Sequence, residues 1–149
     1  MSSIKFEPTP VRPAAARFHT LRYIGIVASV ALGVGTMLPW IVATDQNLGV
    51  TVSRPGIDAG SSGLTVLVFA FATGIALFVS TRVAVWVSTI CAVVALLLSA
   101  ADLAPSQDLI SYLGLPGEAS VGFGLWVSIV SAIVIAAVSA YGAYALRDT

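Results

Sequence analysis

Few residues in this 149-residue chain could do chemistry, and they are scattered. The one histidine, His19, lies between Arg17 and Arg22. An imidazole can relay protons or bind a metal, but a lone one among basic residues reads as an interfacial or solvated side chain. The one cysteine, Cys91, sits inside an apolar run with no second cysteine to pair with. It reads as a small buried hydrophobe. Haem ligation needs axial His, Cys or Met groups inside the fold, and Met37 is the one methionine in an apolar stretch. Gly33/Gly35 and Gly122/Gly124 form two G-x-G patterns. Lying in apolar helical stretches with no strand before them, they lack the setting of a nucleotide loop. The sequence therefore assigns no catalytic, cofactor-binding or metal-ligating residue, and an enzyme is the least supported class. Hydroxyls remain. Thr36, Thr65, Thr73, Ser88 and Ser99 could line a pore, although such groups most often bond to their own helix backbone.

The elements that carry these residues are long and apolar. Hydrophobic residues make up 58% of the chain and charged ones 9%, against roughly 25% charged in a soluble domain. Residues 23–42 hold no charge, with Arg22 before them and Asp45 after. Twenty helical residues reach about 30 Å, the hydrocarbon thickness of a bilayer. Three more such runs follow, about 63–80, 83–101 and 121–144. The expected fold is all-α and integral to the membrane, a four-helix transmembrane bundle in one domain over 23–146. The first run is too long for a signal-peptide core and lacks a cleavage site, so it reads as an uncleaved span.

Residues 1–22 form a tail in which Pro8, Pro10 and Pro13 oppose a regular helix, though the turn 17–22 could begin the first helix early. The outer loops are 43–62 and 102–120. Leu48, Val50 and Val52 alternate with Gly49, Thr51 and Ser53, the pattern of a short strand, and Arg54-Pro55-Gly56 reads as a turn. Ser62 is a candidate N-cap for span 2. Thr81 and Arg82 join spans 2 and 3 into a tight hairpin, and Asp102 closes span 3. A short surface helix is expected over 106–113.

Lys and Arg favour the cytoplasmic side. With both termini cytoplasmic, six of the seven basic residues lie inside and Arg54 alone lies outside. Four basic residues in a tail do not make a nucleic-acid-binding face. Trp40, Trp86 and Trp126 each fall near a span end and read as interface anchors. Small residues recur every four positions: Gly25, Ser29 and Gly33 in span 1, and Gly124, Ser128, Ala132, Ala136 and Ala140 in span 4. Such rows let helices approach closely, inside the bundle or against a partner. Pro39 is expected to kink the end of span 1 mildly.

Gly124-Leu125-Trp126 and a β-prone first loop are features of claudin-like proteins. Their outer-loop W-GLW-C-C pattern is missing here, which excludes that family. Leu38-Pro39-Trp40, the glycines of residues 60–63 and the G-x-G-L-W of residues 122–126 give a layout that resembles small four-helix membrane proteins of high-GC Gram-positive bacteria. That resemblance implies a bacterial plasma membrane, and by analogy an accessory subunit of a respiratory assembly. With no ionisable group in any span, the reading is a non-catalytic accessory or assembly subunit whose partners are other integral membrane subunits and the lipid bilayer. Gly25, Ser29 and Gly33 would serve helix docking, and Pro8, Pro10 and Arg12 tail contacts. The alternative is a small oligomeric permease or channel. A lipid- or quinone-contacting helper presenting Phe69, Phe71 and Phe78 is a third reading.

Overall fold

The computed structural model describes residues 13–45, 49–58, 61–103 and 117–147. The expected tail contacts Pro8, Pro10 and Arg12 and the expected helix over 106–113 lie outside these residues. Four helices form the body: α1 (Pro13–Met37), α2 (Ser61–Val79), α3 (Arg82–Ala101) and α4 (Phe123–Ala145). All four are long and apolar enough to cross a membrane. Each packs against two neighbours in the cyclic order α1-α2-α3-α4. Large apolar side chains such as Val30, Phe71, Phe78, Ile90, Leu97 and Ile133 point outward from all four helices. A water-soluble surface rarely carries so large an apolar area, whereas a lipid-facing one does.

Helix α1 begins at Pro13, earlier than the first charge-free residue. Pro13 therefore opens the helix instead of preventing it, because the first helical position has no use for a backbone N–H and favours a fixed φ. Phe18 lies on this early part of α1, is fully buried, and packs where Gly142 of α4 leaves room for its ring. The chain ends of α1 and α4 thus share one end of the bundle, the basal end. The α2–α3 turn lies there too. Its linking residues are Ser80 and Thr81, and Arg82 already belongs to α3. Ser80 takes a left-handed φ of 55°, the conformation that closes many helices. Thr81 caps α3 by accepting a hydrogen bond from the Ala84 amide at 3.3 Å.

At the opposite end the chain departs from an all-helical bundle. Helix α1 stops at Met37, and residues read as the end of span 1 enter strand β1 (Pro39–Asp45). Proline disfavours helical geometry in the residue before it, so Pro39 ends the helix outright; it does not merely bend it. Strand β1 pairs antiparallel with β2 (Val50–Pro55) and with β3 (Gly117–Val121), giving the sheet order β2-β1-β3. The β1–β2 link carries Gly49 at φ +64°, open on the side where a Cβ would stand. A 3-10 turn (Gly56–Asp58) leads from β2 towards α2. Ser61 is already helical, which places Ser62 within the first turn and not at the cap.

Candidate functional site

The junction between sheet and bundle is the most tightly built part of the molecule. Strand β1 carries a bulge, since Pro39 faces Pro55 but Ile41 faces Arg54, leaving Trp40 as the extra residue. A bulge re-aims a side chain. Here it sends the Trp40 indole into the protein, where only 1% of the residue is exposed. Its Nε1–H donates at 2.9 Å to the Gly35 carbonyl near the end of α1, which also accepts from the Leu38 amide at 3.3 Å. Trp40 is therefore a core residue of the junction and not an interface anchor. Trp86 and Trp126 stand half exposed near the starts of α3 and α4.

Glycines cluster at this junction because backbone segments pass close to one another and, at Gly56, to the indole. A Cβ on Gly56 would overlap the Trp40 ring, and one on Gly63 would overlap the Gly56 carbonyl. A Cβ on Gly122 would strike the Pro39 carbonyl. On Gly124 it would come within 2.7 Å of both the Gly35 carbonyl and Leu38. The Gly122 amide donates to the Trp40 carbonyl at 2.7 Å, and the Gly56 amide to the Leu38 carbonyl at 3.3 Å. Beside the indole, Ile41 pairs with Val121 across the sheet and both pack against the core. Leu38-Pro39-Trp40, Gly63 and the G-x-G-L-W segment thus meet in one place. The pattern Gly122/Gly124 does follow a strand and open a helix, contrary to expectation. Both glycines are packed against the Pro39, Leu38 and Gly35 backbone. No family model, curated protein or solved structure matches this chain.

Below the junction the interior is lined with hydroxyls. The buried polar side chains of the described residues are Ser29, Thr36, Thr73, Ser88, Ser99, Ser128, Ser131 and Ser139. Ser29 Oγ donates to the Gly25 carbonyl at 2.9 Å and lies 3.3 Å from Thr73 Oγ1, linking α1 to α2. Ser88 and Ser139 share a hydrogen bond of 2.8 Å, linking α3 to α4. Thr36 and Ser128 bond back to the carbonyls of Gly33 and Gly124. Among the described residues Ser99 Oγ is buried with no partner. One turn further on, Asp102 ends α3 with its Oδ2 buried and likewise without a partner among those residues. Thr65 is half buried near the start of α2.

The small-residue rows divide. Gly25 is buried, and a Cβ there would lie 2.7 Å from Leu77. Gly124, Ser128 and Ala132 are buried within the bundle, Ala136 is half buried against the core, and the row turns outward at Ala140. Gly33 is half buried on the seam between α1 and α2. The groups picked out for chemistry are not brought together. His19 is exposed on α1, Met37 is exposed at its end, and Cys91 is a free thiol on α3. No three His, Cys, Asp or Glu residues cluster as a metal site among the described residues.

Proposed function

We propose that this chain is a non-catalytic accessory subunit of a larger complex in a bacterial plasma membrane, with both termini cytoplasmic. The observation that carries the reading is the outer edge of β2, which no strand among the described residues covers. Residues 50–54 are exposed, and β2 is an outer strand of the sheet. Val50 and Val52 are more than half exposed there. An edge of this kind offers unpaired backbone groups to a strand from another chain. Inside, the buried hydroxyls of Ser29, Thr73, Ser88 and Ser139 are spent on one another, which leaves recognition to the surface. The junction around Trp40 fixes the sheet rigidly on the bundle, as a docking platform requires. A respiratory assembly is the host that the tetraspan resemblance favours.

The test is purification of the tagged chain in mild detergent with identification of co-purifying subunits. A stoichiometric set of membrane subunits, lost when Val52→Lys places a charge on the edge strand, is the expected result. A self-oligomer with no other subunit would refute the accessory role.

A further inference from the structure

We infer that the seam between α1 and α2 holds one anionic phospholipid, with its phosphate at Arg22 and an acyl chain along the groove beyond it. The inference rests on the reading of this chain as a membrane protein. The groove has a volume of about 350 Å³. Its rim is formed by the exposed side chains of Val30, Val34, Phe71 and Ile75, and Gly33 and Gly74 lie between them, half buried.

The two glycines are the first argument. Elsewhere in the bundle closely passing backbone requires a glycine: a Cβ on Gly124 would lie 2.7 Å from the Gly35 carbonyl, and one on Gly35 would lie 2.6 Å from Ser128 Oγ and 3.1 Å from its amide nitrogen. On Gly33 the nearest atom would be 3.6 Å away, and on Gly74 3.5 Å. These are ordinary contact distances, so the bundle itself would accept alanine at both positions. What the missing side chains leave is a hollow open to the lipid side.

The second argument is charge at the basal end of the same seam. Arg22 is half buried, its Nη1 donates to Ser80 Oγ across the seam at 3.0 Å, and its guanidinium stacks 5.1 Å from the centre of the Tyr23 ring. A guanidinium has five N–H donors, so donors remain for a phosphate, which arginine binds in a forked geometry. Arg82 is exposed two residues beyond Ser80. The described acids Asp45, Asp58, Asp102 and Glu118 all belong to elements at the sheet end.

Length is the third. The groove follows Ile26 to Met37 on α1, roughly 16 Å at 1.5 Å per residue, and starts about 6 Å from Arg22, so its far end lies about 22 Å from that residue. An acyl chain whose phosphate sits at Arg22 runs along the near part of the groove, within its own half of a hydrocarbon core about 30 Å thick.

The test starts from the membrane fraction. If the chain were recovered as a soluble protein, the membrane reading itself would fail, and this site with it. From protein purified in mild detergent, native mass spectrometry is run with equal amounts of phosphatidylglycerol and phosphatidylcholine. One phosphatidylglycerol per chain is expected, preferred over phosphatidylcholine and not displaced by glycerol 3-phosphate. Loss of one arginine near the membrane surface is expected to weaken retention about fivefold, so Arg22→Gln and the exposed Arg82→Gln are both made. Gly33→Leu fills the groove and is expected to abolish retention while far-UV circular dichroism stays unchanged. Equal occupancy by the two lipids, displacement by the free headgroup, undiminished retention in Gly33→Leu, or a protein seated in the groove in place of lipid would each overturn the proposal.

Discussion

Replacing Trp40 should loosen the sheet end of the molecule more than any other single truncation there. The residue fills the space between β1, the turn at Gly56 and the start of α4, and is 1% exposed. Truncating a buried Trp to Ala costs about 3–5 kcal/mol in packed cores. Part of that is transfer from water, which counts for less near a bilayer, so the lower end, about 3 kcal/mol, is expected for Trp40→Ala. Trp40→Phe keeps most of the ring and removes the Nε1–H bond to the Gly35 carbonyl, which still accepts from the Leu38 amide at 3.3 Å. It should cost about 1 kcal/mol, the hydrogen bond alone. Gly56→Ala presses a methyl into the indole and should cost about 1–3 kcal/mol alone, yet far less in the Trp40→Ala background, where the methyl meets a cavity. Reversible unfolding in mixed micelles, followed by circular dichroism, measures all four states of the cycle. A coupling energy of about 2 kcal/mol is expected for such a contact. Strict additivity, or a Trp40→Ala cost below about 1 kcal/mol, would refute the view that the indole holds sheet and bundle together.

Two further outcomes follow from other parts of the fold. Asp102 places a carboxylate oxygen with no partner among the described residues at the C-terminal end of α3, where the helix dipole disfavours negative charge. Asp102→Asn should therefore raise stability in micelles by about 0.5–1 kcal/mol, and a loss of that size would mean the carboxylate has a partner. In a Cys91→Ala background, a membrane-impermeant maleimide applied to whole cells should label Val52→Cys but reach His19→Cys only after permeabilisation. Both residues are exposed and lie at opposite ends of the bundle, so the reverse pattern would invert the topology.

The spans are legible in the sequence because insertion penalties exclude charge from them. Their ends are less so, and span 1 shows why. Hydropathy runs unbroken through Trp40, Ile41 and Val42, but those residues lie in a strand, since hydropathy does not register the break that Pro39 makes. The signal was present in the proline, followed by a Trp and two β-branched residues. Strand β3 left no such trace. Its sequence, GEASV, lacks apolar alternation, and it is held by backbone pairing to β1, which a reading of side chains does not see. Trp40 was misassigned for a related reason. Its distance from the span end suits an interface anchor, and only the bulge at that residue turns it inward. The glycine motifs are visible as patterns, but their purpose appears once Gly56 is seen against the Trp40 ring and Gly63, Gly122 and Gly124 against the backbone that passes beside it.

The hydroxyls decide between the accessory reading and a pore within one bundle. Thr36, Thr73, Ser88 and Ser99 are each fully buried, so none faces a water-filled gap in a single chain. If they serve packing, removing them changes stability according to their partners. Ser88→Ala breaks the bond to Ser139 and should cost about 0.6 kcal/mol, the average for interhelical bonds in membranes. Ser99→Ala removes a buried hydroxyl with no partner among the described residues and should be neutral or stabilising by up to about 1 kcal/mol. A pore would answer differently, because a lining hydroxyl acts on flux and not on stability. In proteoliposomes, ion or solute flux that falls in Ser88→Ala and Ser99→Ala alike, with melting behaviour unchanged, would refute the packing role and shift the function to permeation. Opposite stability effects with no flux in either variant would leave the hydroxyls as helix-to-helix contacts and place the function on the outer surface.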